Sequence, residues 1–518
     1  MKKVIFAASL ILFCLAFVFS QEKESEAIRL TLNDCLLKAL GNNFDILVEA
    51  INPEISEFSI RESKEFFMPQ LSFGFDNYNR NYPTNWYAQG EVINYKSNEY
   101  SIGLSQRMIT GGQINLSLSN QISNSTQKLL IVNPTYSGNL SFEFTQPLLK
   151  GFGPKINRRE IKIAQNQRDI SLHNLKSTLI QKVYEVEAAY WSLVSAIESL
   201  KVNEYSLENS KERLEKTKEA ARIGIKTAVD VLASETEVAS WENRIISARS
   251  QVERSENRLM EIINLPADGA GRAKSVIPVD KPGVEKKEIS FEEALKIAIE
   301  QRPEMARYQK MIENSALDVS YYKNQLLPQL DLRLQMWYLG QSGDKLIYEN
   351  DDPYRGKIIG KIEKSWTDAF KDVFDFKYDN WFVTLNLSIP LQNIFSRAGL
   401  ARANMEKEQK QLEMEKEKRS IYNDLLSGFK ELKNNEKRLE TSSLYRQLME
   451  KKLQAEEERV RLGLATSEWL FQYQRDLASA RTEEIQATID YKVSVANLER
   501  IMGVNLKTKN LKFKEYDF

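Results

Sequence analysis

The feature that most constrains this chain is an unbroken heptad inside residues 158–264. Leu172, Leu179, Val186, Leu193, Leu200, Leu207 and Leu214 fall every seven residues, and Leu175, Val183, Tyr190 and Ile197 fill most alternate positions. A 3–4 spacing sustained over so many turns is the seam of a coiled coil. No proline interrupts it between Pro154 and Pro266. At Arg222-Ile223-Gly224-Ile225-Lys226-Thr227 the pattern breaks, and it resumes from Val229. Glycine tolerates the positive φ that closes a helix, so this reads as a long helix, a tight tip and a returning helix. From Arg158 to Gly224 the rod measures roughly 99 Å at ~1.5 Å per residue, more than a compact domain needs.

The rod occurs twice. Arg461-Leu462-Gly463-Leu464-Ala465-Thr466 repeats the first tip at an offset of 239, which also aligns Arg158 with Arg397, Leu259 with Leu498 and Ile262 with Ile501. Upstream, the stretch from Leu30-Thr31-Leu32 to Met68-Pro69-Gln70-Leu71 aligns with Ile289-Ser290-Phe291 to Leu327-Pro328-Gln329-Leu330 at an offset of 259. Matching tips and matching helix-to-strand junctions mark an internal duplication, with halves at about 30–264 and 289–503.

Residues 1–20 carry Lys2 and Lys3, an apolar run and small residues at Val18 and Ser20, as an export signal does. A lipid-anchored start at Cys14 is the weaker reading, because Phe13 stands where a small residue is wanted. With the signal removed, Cys35 is the one remaining cysteine, so no intramolecular disulfide is expected. No other run is long and apolar enough for a membrane helix, so any span of the mature chain must be β. The 72 basic and 72 acidic side chains balance, which gives no reason to expect nucleic acid as a partner.

The domain plan follows in chain order. The first repeat takes 21–264: an opening helix over 33–67, strands over 70–149 and the helical hairpin 155–264. A Pro- and Gly-containing linker spans 265–288. The second repeat takes 289–503: a helix over 292–326, strands within 329–390 and a hairpin at 397–503. A tail of 504–518 remains. In the strand regions the period changes to two. Leu71, Phe73 and Phe75 alternate with Ser72, Gly74 and Asp76, and Tyr100-Ile102-Leu104, Ile114-Leu116-Leu118 and Leu140-Phe142-Phe144 do the same. Thr110-Gly111-Gly112 is a tight turn; 80–98, 122–136 and 341–379 read as long connections. Tyr78, Tyr82, Trp86, Tyr87 and Tyr95, with Trp337, Tyr338 and Trp381, suggest the aromatic girdle of a membrane barrel. Four to six strands cannot close a barrel alone, so closure requires oligomerisation.

Chemistry finds no foothold. The single histidine, His173, lies mid-helix, so neither a triad nor a histidine metal site can be assembled. No glycine-rich phosphate loop is present, and the many carboxylates read as solvated helix faces. No enzyme activity, cofactor or metal is expected. The heptads alone would also fit an exported coiled-coil structural protein or adhesin; the amphipathic strands and paired tips argue for a channel.

The Leu-Thr-Leu start, the Pro-Gln-Leu junctions, Gln146-Pro147-Leu148-Leu149, Ile389-Pro390-Leu391 and the paired Arg-x-Gly-x-x-Thr tips resemble the TolC-like outer-membrane efflux proteins over about 30–503. The resemblance implies a mainly α chain with a membrane β portion: a homotrimer, its barrel set in outer-membrane lipid and continued by a periplasmic α-helical tunnel. It also implies the role of exit duct for a tripartite efflux pump or type I secretion system, served by a periplasmic adaptor and an inner-membrane transporter. By the same resemblance the adaptor docks on Ile223, Gly224, Ile225 and on Leu462, Gly463, Leu464. An entrance aspartate six residues beyond the tip glycine maps to Asp230. The second half departs from that pattern, with Trp469 and Gln472 at the corresponding places and Glu468 as the nearest acid. Whether the hairpin at 98–121 joins the barrel, giving eighteen strands per trimer where the family has twelve, stays open.

Overall fold

The computed structural model describes residues 28–83, 92–127, 129–265, 275–283, 289–462, 464 and 467–513. The expected signal at 1–20 lies outside them. The chain divides into two compact units that cut across the sequence repeats.

The first unit comprises Met1–Pro53, Ser171–Arg307 and Met414–Phe518. Its core gathers Cys35, Leu36 and Ile46 with Leu175, Leu179, Val186, Tyr190 and Leu193 of the heptad, and Leu259 and Ile263 of the returning helix. A second cluster holds Ala294, Leu425, Leu498, Ile501 and Met502. Shifting by the two sequence offsets carries Cys35 onto Ala294, Val186 onto Leu425 and Leu259, Ile262 and Ile263 onto Leu498, Ile501 and Met502. The duplication is thus a duplication of core positions.

Four long helices dominate the helical part of the chain: Arg159–Arg222, Ala228–Ile263, Ile394–Arg461 and Ser467–Met502. Each opening helix, expected as a single rod, is two: Leu32–Asn42 with Phe44–Glu65, and Phe291–Gln301 with Pro303–Asn324. The first break falls at Asn43, whose backbone is extended and whose Oδ1 accepts from the amides of Asp45 and Ile46, capping the next helix. The second falls at Arg302, where Pro303 takes the first helical position that suits its fixed φ.

The linker is not featureless. Its strand Val276–Pro278 (β6 in chain order) pairs in parallel with Ile28–Leu30 (β1). The pair is pinned by Asp280, whose carboxylate accepts from the amide of Leu32 at 2.7 Å and the hydroxyl of Tyr190 at 2.8 Å. Residues 504–513 also fold onto this unit, with Leu506 and Phe513 buried and Asn505 Nδ2 donating to the carbonyl of Ile180 at 2.8 Å.

The second unit, Glu54–Ile170 with Tyr308–Glu413, holds one antiparallel sheet. Strands β2 Gln70–Tyr82, β3 Ile93–Arg107, β4 Gln113–Ser125 and β5 Val132–Pro147 come from the first half, and β7 Gln329–Tyr348, β8 Ile358–Ile362 and β9 Asp379–Ser388 from the second. The order is β2-β3-β4-β5-β7, with β9 along one stretch of β7 and the short β8 along another. The strands are longer than the alternation indicated, so the connections expected at 80–98 and 122–136 shrink to 83–92 and 126–131.

The expected 341–379 loop is largely structured. It completes β7, forms β8 and adds a helix, Trp366–Phe374. That helix starts in a capping box between Ser365 and Asp368, a Ser-x-x-Asp signal present in the sequence. It seats on the sheet at Gly138 and Gly340, where a side chain at Gly340 would strike the carbonyl of Ala369. The aromatic residues divide by strand alternation. Tyr338 and Trp381 share the apolar face with Leu140, Met336 and Val383, and the exposed Trp366, Phe374 and Tyr378 follow nearby in the chain. Tyr78 and Tyr95 stack on the opposite, polar face, where Tyr78 accepts from Gln121 at 2.8 Å, and Trp337 shares that face with Ser141. Tyr82, opposite Ile93, falls on the same face as Tyr78, so these four do not belong to a lipid-facing girdle. Trp86 and Tyr87 lie outside the described residues.

Candidate docking tips and entrance residues

The first tip is a helix stop and a helix start in immediate succession. Helix Arg159–Arg222 ends with the amide of Ile225 bonded to the carbonyl of Ala220 at 2.9 Å and that of Gly224 to Ala221 at 3.0 Å. This is the paired 6→1 and 5→2 closure that needs a left-handed residue at its centre, and Gly224 supplies it at φ +78°. Two residues on, Thr227 caps helix Ala228–Ile263. Its hydroxyl accepts from the amide of Asp230 at 3.2 Å, and the Asp230 carboxylate accepts from the amide of Thr227 at 2.9 Å. The Thr227 amide first, and then the Thr227 hydroxyl, which also donates to that carboxylate at 2.8 Å, hold the Asp230 carboxyl below its ordinary range. Lys226 stands 3.8 Å from the same carboxylate. The residue singled out as an entrance acid is therefore also the third residue of a capping box.

At the second tip the amide of Leu464 bonds to the carbonyl of Arg459 at 2.8 Å, the same 6→1 closure. Gly463 lies outside the described residues. Helix Ser467–Met502 follows, with exposed Glu468 in its first turn and Trp469 where the first tip has Asp230. The flanking apolar side chains share one property: Ile223, Ile225, Leu462 and Leu464 are 66–72% exposed. Val229, Leu232 and Trp469 extend this exposed apolar surface.

Charged residues that the sequence pattern did not single out lace the four helices behind the tips. Arg213 bonds Glu457 at 2.7 Å, joining the two long helices. Arg475 donates to the buried Glu237, joining the two returning helices. Arg446 and Arg481 converge on Glu450, and Arg446 also reaches Glu484. Opposite charges facing one another across neighbouring helices help to choose the partner helix. The sequence signal that could have found one of them is the offset of 239, which sets Arg446 at the place of the heptad residue Leu207. Among the described residues no group of metal-ligating side chains comes together.

A family model described as outer membrane efflux protein matches residues 112–265 and 294–504. The fold is similar to that of the Campylobacter jejuni CmeC outer membrane channel, at 14% identity, with TM-score 0.61, over 94% of this chain and 87% of that one. It is similar to the open state of the Neisseria gonorrhoeae MtrE outer membrane channel, at 16% identity and TM-score 0.60, over 91% and 88%. The Vibrio cholerae outer membrane protein VceC gives 12% identity and TM-score 0.61 over 91% and 96%. No match was found among curated proteins.

Proposed function

The chain belongs to the outer membrane efflux protein family, and from that premise we propose that it is a passive exit duct, closed as a homotrimer. Its place is the outer membrane, with the helical part in the periplasm. In this reading a periplasmic adaptor seats on the tips, and an inner-membrane transporter of a tripartite pump or type I secretion system drives cargo into the duct.

The observation that carries the reading is a sheet with two different faces and two open edges. One face is apolar; the other holds Ser117 bonded to Ser141 at 2.7 Å and Arg333 paired with Glu143 at 2.8 Å. Strand β2 pairs only with β3, and β9 only with β7, among the described residues. Inside hydrocarbon no edge can keep its amides and carbonyls unbonded, so such a sheet spans only when closed. β2 leaves a helix and β9 leads back into one, so β9 of one copy meets β2 of the next antiparallel, as every neighbouring pair does.

A helix face supports the same closure. Phe44, Val48, Ile51, Ile55 and Phe58 repeat at 4–3–4–3 spacing along helix Phe44–Glu65, and all are exposed. An apolar stripe of that spacing fits another helix.

The test is purification from outer membranes in mild detergent followed by planar-bilayer recording. A trimer that survives electrophoresis unheated, dissociates on boiling and conducts ions is expected. A monomer without conductance would overturn the reading in favour of a structural envelope protein.

A further inference from the structure

We propose that the trimer closes an eighteen-stranded barrel, six strands from each copy, rather than the twelve of its family. The inference rests on the homotrimeric closure proposed above and concerns the hairpin β3–β4.

That hairpin is not an appendage. β2 pairs with β3 over residues 70–82, β3 with β4 over 95–107 and β4 with β5 over 113–123, without a register break. β2 and β5 are therefore separated by two intervening strands, and at ~4.8 Å per strand they stand about 14 Å apart. They cannot pair with one another to leave the hairpin outside.

The hairpin also shares the lipid-facing pattern. Following the register across the sheet, Leu71, Leu104, Leu116, Phe142, Met336 and Trp381 form one apolar row through all six long strands. One residue along, the row on the other face runs Ser72, Gly103, Ser117, Ser141 and Trp337. A hairpin lying in water outside the wall, or folded into the lumen, would have no reason to continue both rows.

Its turn is built into the base of the wall. The amide of Gly153 donates to the carbonyl of Thr110 at 2.9 Å, and the Thr110 hydroxyl bonds Gln146 at 2.9 Å. Gly111 sits at φ +97°, and a side chain there would meet the carbonyl of Gly151. The turn thus packs on the junction where β5 hands over to the helices. Since barrel diameter grows roughly linearly with strand number, eighteen strands enclose a lumen about one and a half times as wide as twelve at equal tilt.

The experiment places single cysteines in a Cys35→Ala background of the full chain, reconstituted as purified. Leu104→Cys and Leu116→Cys probe the apolar face of the hairpin, and Gly103→Cys and Ser117→Cys its polar face. Met336→Cys and Ser141→Cys serve as references on β7 and β5. The probes are a water-borne maleimide and a bilayer-resident quencher read against a label at each site. The expected result is that the hairpin matches the references: polar-face sites react with the maleimide at least tenfold faster, and apolar-face sites alone are quenched. Trimers in which all four hairpin sites react equally from water would overturn the six-strand count and leave the trimeric duct standing. Protein that inserts but never forms trimers would overturn both.

Discussion

At the scale of single residues, burial and pairing make specific demands. Cys35 sits against the heptad, fully buried, and burial pushes its thiol up to about 12. A thiol so rarely ionised is a poor nucleophile. The expected outcome is that a maleimide leaves folded protein unmodified at pH 7 and labels it stoichiometrically in denaturant, read by intact mass. Glu304 is the second case. Burial alone would raise its pKa, but the guanidinium of Arg302 at 3.1 Å and the hydroxyl of Ser177 at 2.7 Å outweigh it and hold the carboxyl below its ordinary range. Because the folded value lies under the unfolded one, the stabilisation is complete above the ordinary glutamate range and is lost as pH falls through the folded value. Glu304→Gln should therefore cost about 1–3 kcal/mol at pH 7. In thermal melts its deficit should shrink as the pH falls below 4, while the wild-type protein loses stability over the same interval. A deficit unchanged with pH would assign the loss to packing.

Among the elements, legibility in the sequence tracked periodicity. The heptad locates the long helices because seven successive heptad positions, six of them leucine, leave no other fold, and period-two alternation locates β2 to β5 for the same kind of reason. The breaks at Asn43 and Arg302 were not read, since Asn43 brings no proline or glycine and acts by capping through its side chain. Pro303 did carry a signal, being fit for the first position of a helix. β1 and β6 are three residues each, too short for any period. Asp230 shows the ambiguity of a motif: the family pattern marks an entrance acid, whereas Thr227-x-x-Asp230 equally spells a capping box, and the structure builds the box. Helix Trp366–Phe374 sits within a stretch whose composition reads as loop, and its contact glycines lie on other strands. That contact is sharp enough to test. A side chain at Gly340 would overlap the backbone of Ala369, which no rotamer relieves. Gly340→Val should dislodge the helix, exposing the buried Ala369 and Val373 and opening the adjacent chain to a protease added outside intact cells. Gly360→Val, where the nearest neighbour is a flexible Ile347 methyl at 3.7 Å, should leave digestion at the wild-type rate. Equal digestion of both variants would mean that the helix does not depend on Gly340.

For the whole molecule, the exposed apolar surfaces decide what remains to be covered. In the proposed trimer the helix stripe and the sheet edges are covered by copies of the chain itself; the tips are not. Ile223, Ile225, Leu462 and Leu464 stay exposed on turns where solvent alone would select polar residues, and the adaptor proposed above would cover such an apolar patch. Nothing of the chain lies within 4 Å of where a side chain at Gly224 would begin, so a bulky residue there would project from the tip without meeting the chain itself. Substituting Gly224→Trp together with Gly463→Trp should block adaptor docking. At φ +78° the first substitution also strains the turn, by about 1 kcal/mol, and the strands and helix faces that would close the proposed trimer lie far along the chain from it. Trimer yield and bilayer conductance should therefore match the wild type, while export in cells falls at least tenfold. A Gly224→Ala, Gly463→Ala variant carries the same strain without the bulk and should retain export. If the alanine and tryptophan variants lose export equally, the tips act only as turns; if both export fully, the adaptor seats elsewhere on the helices.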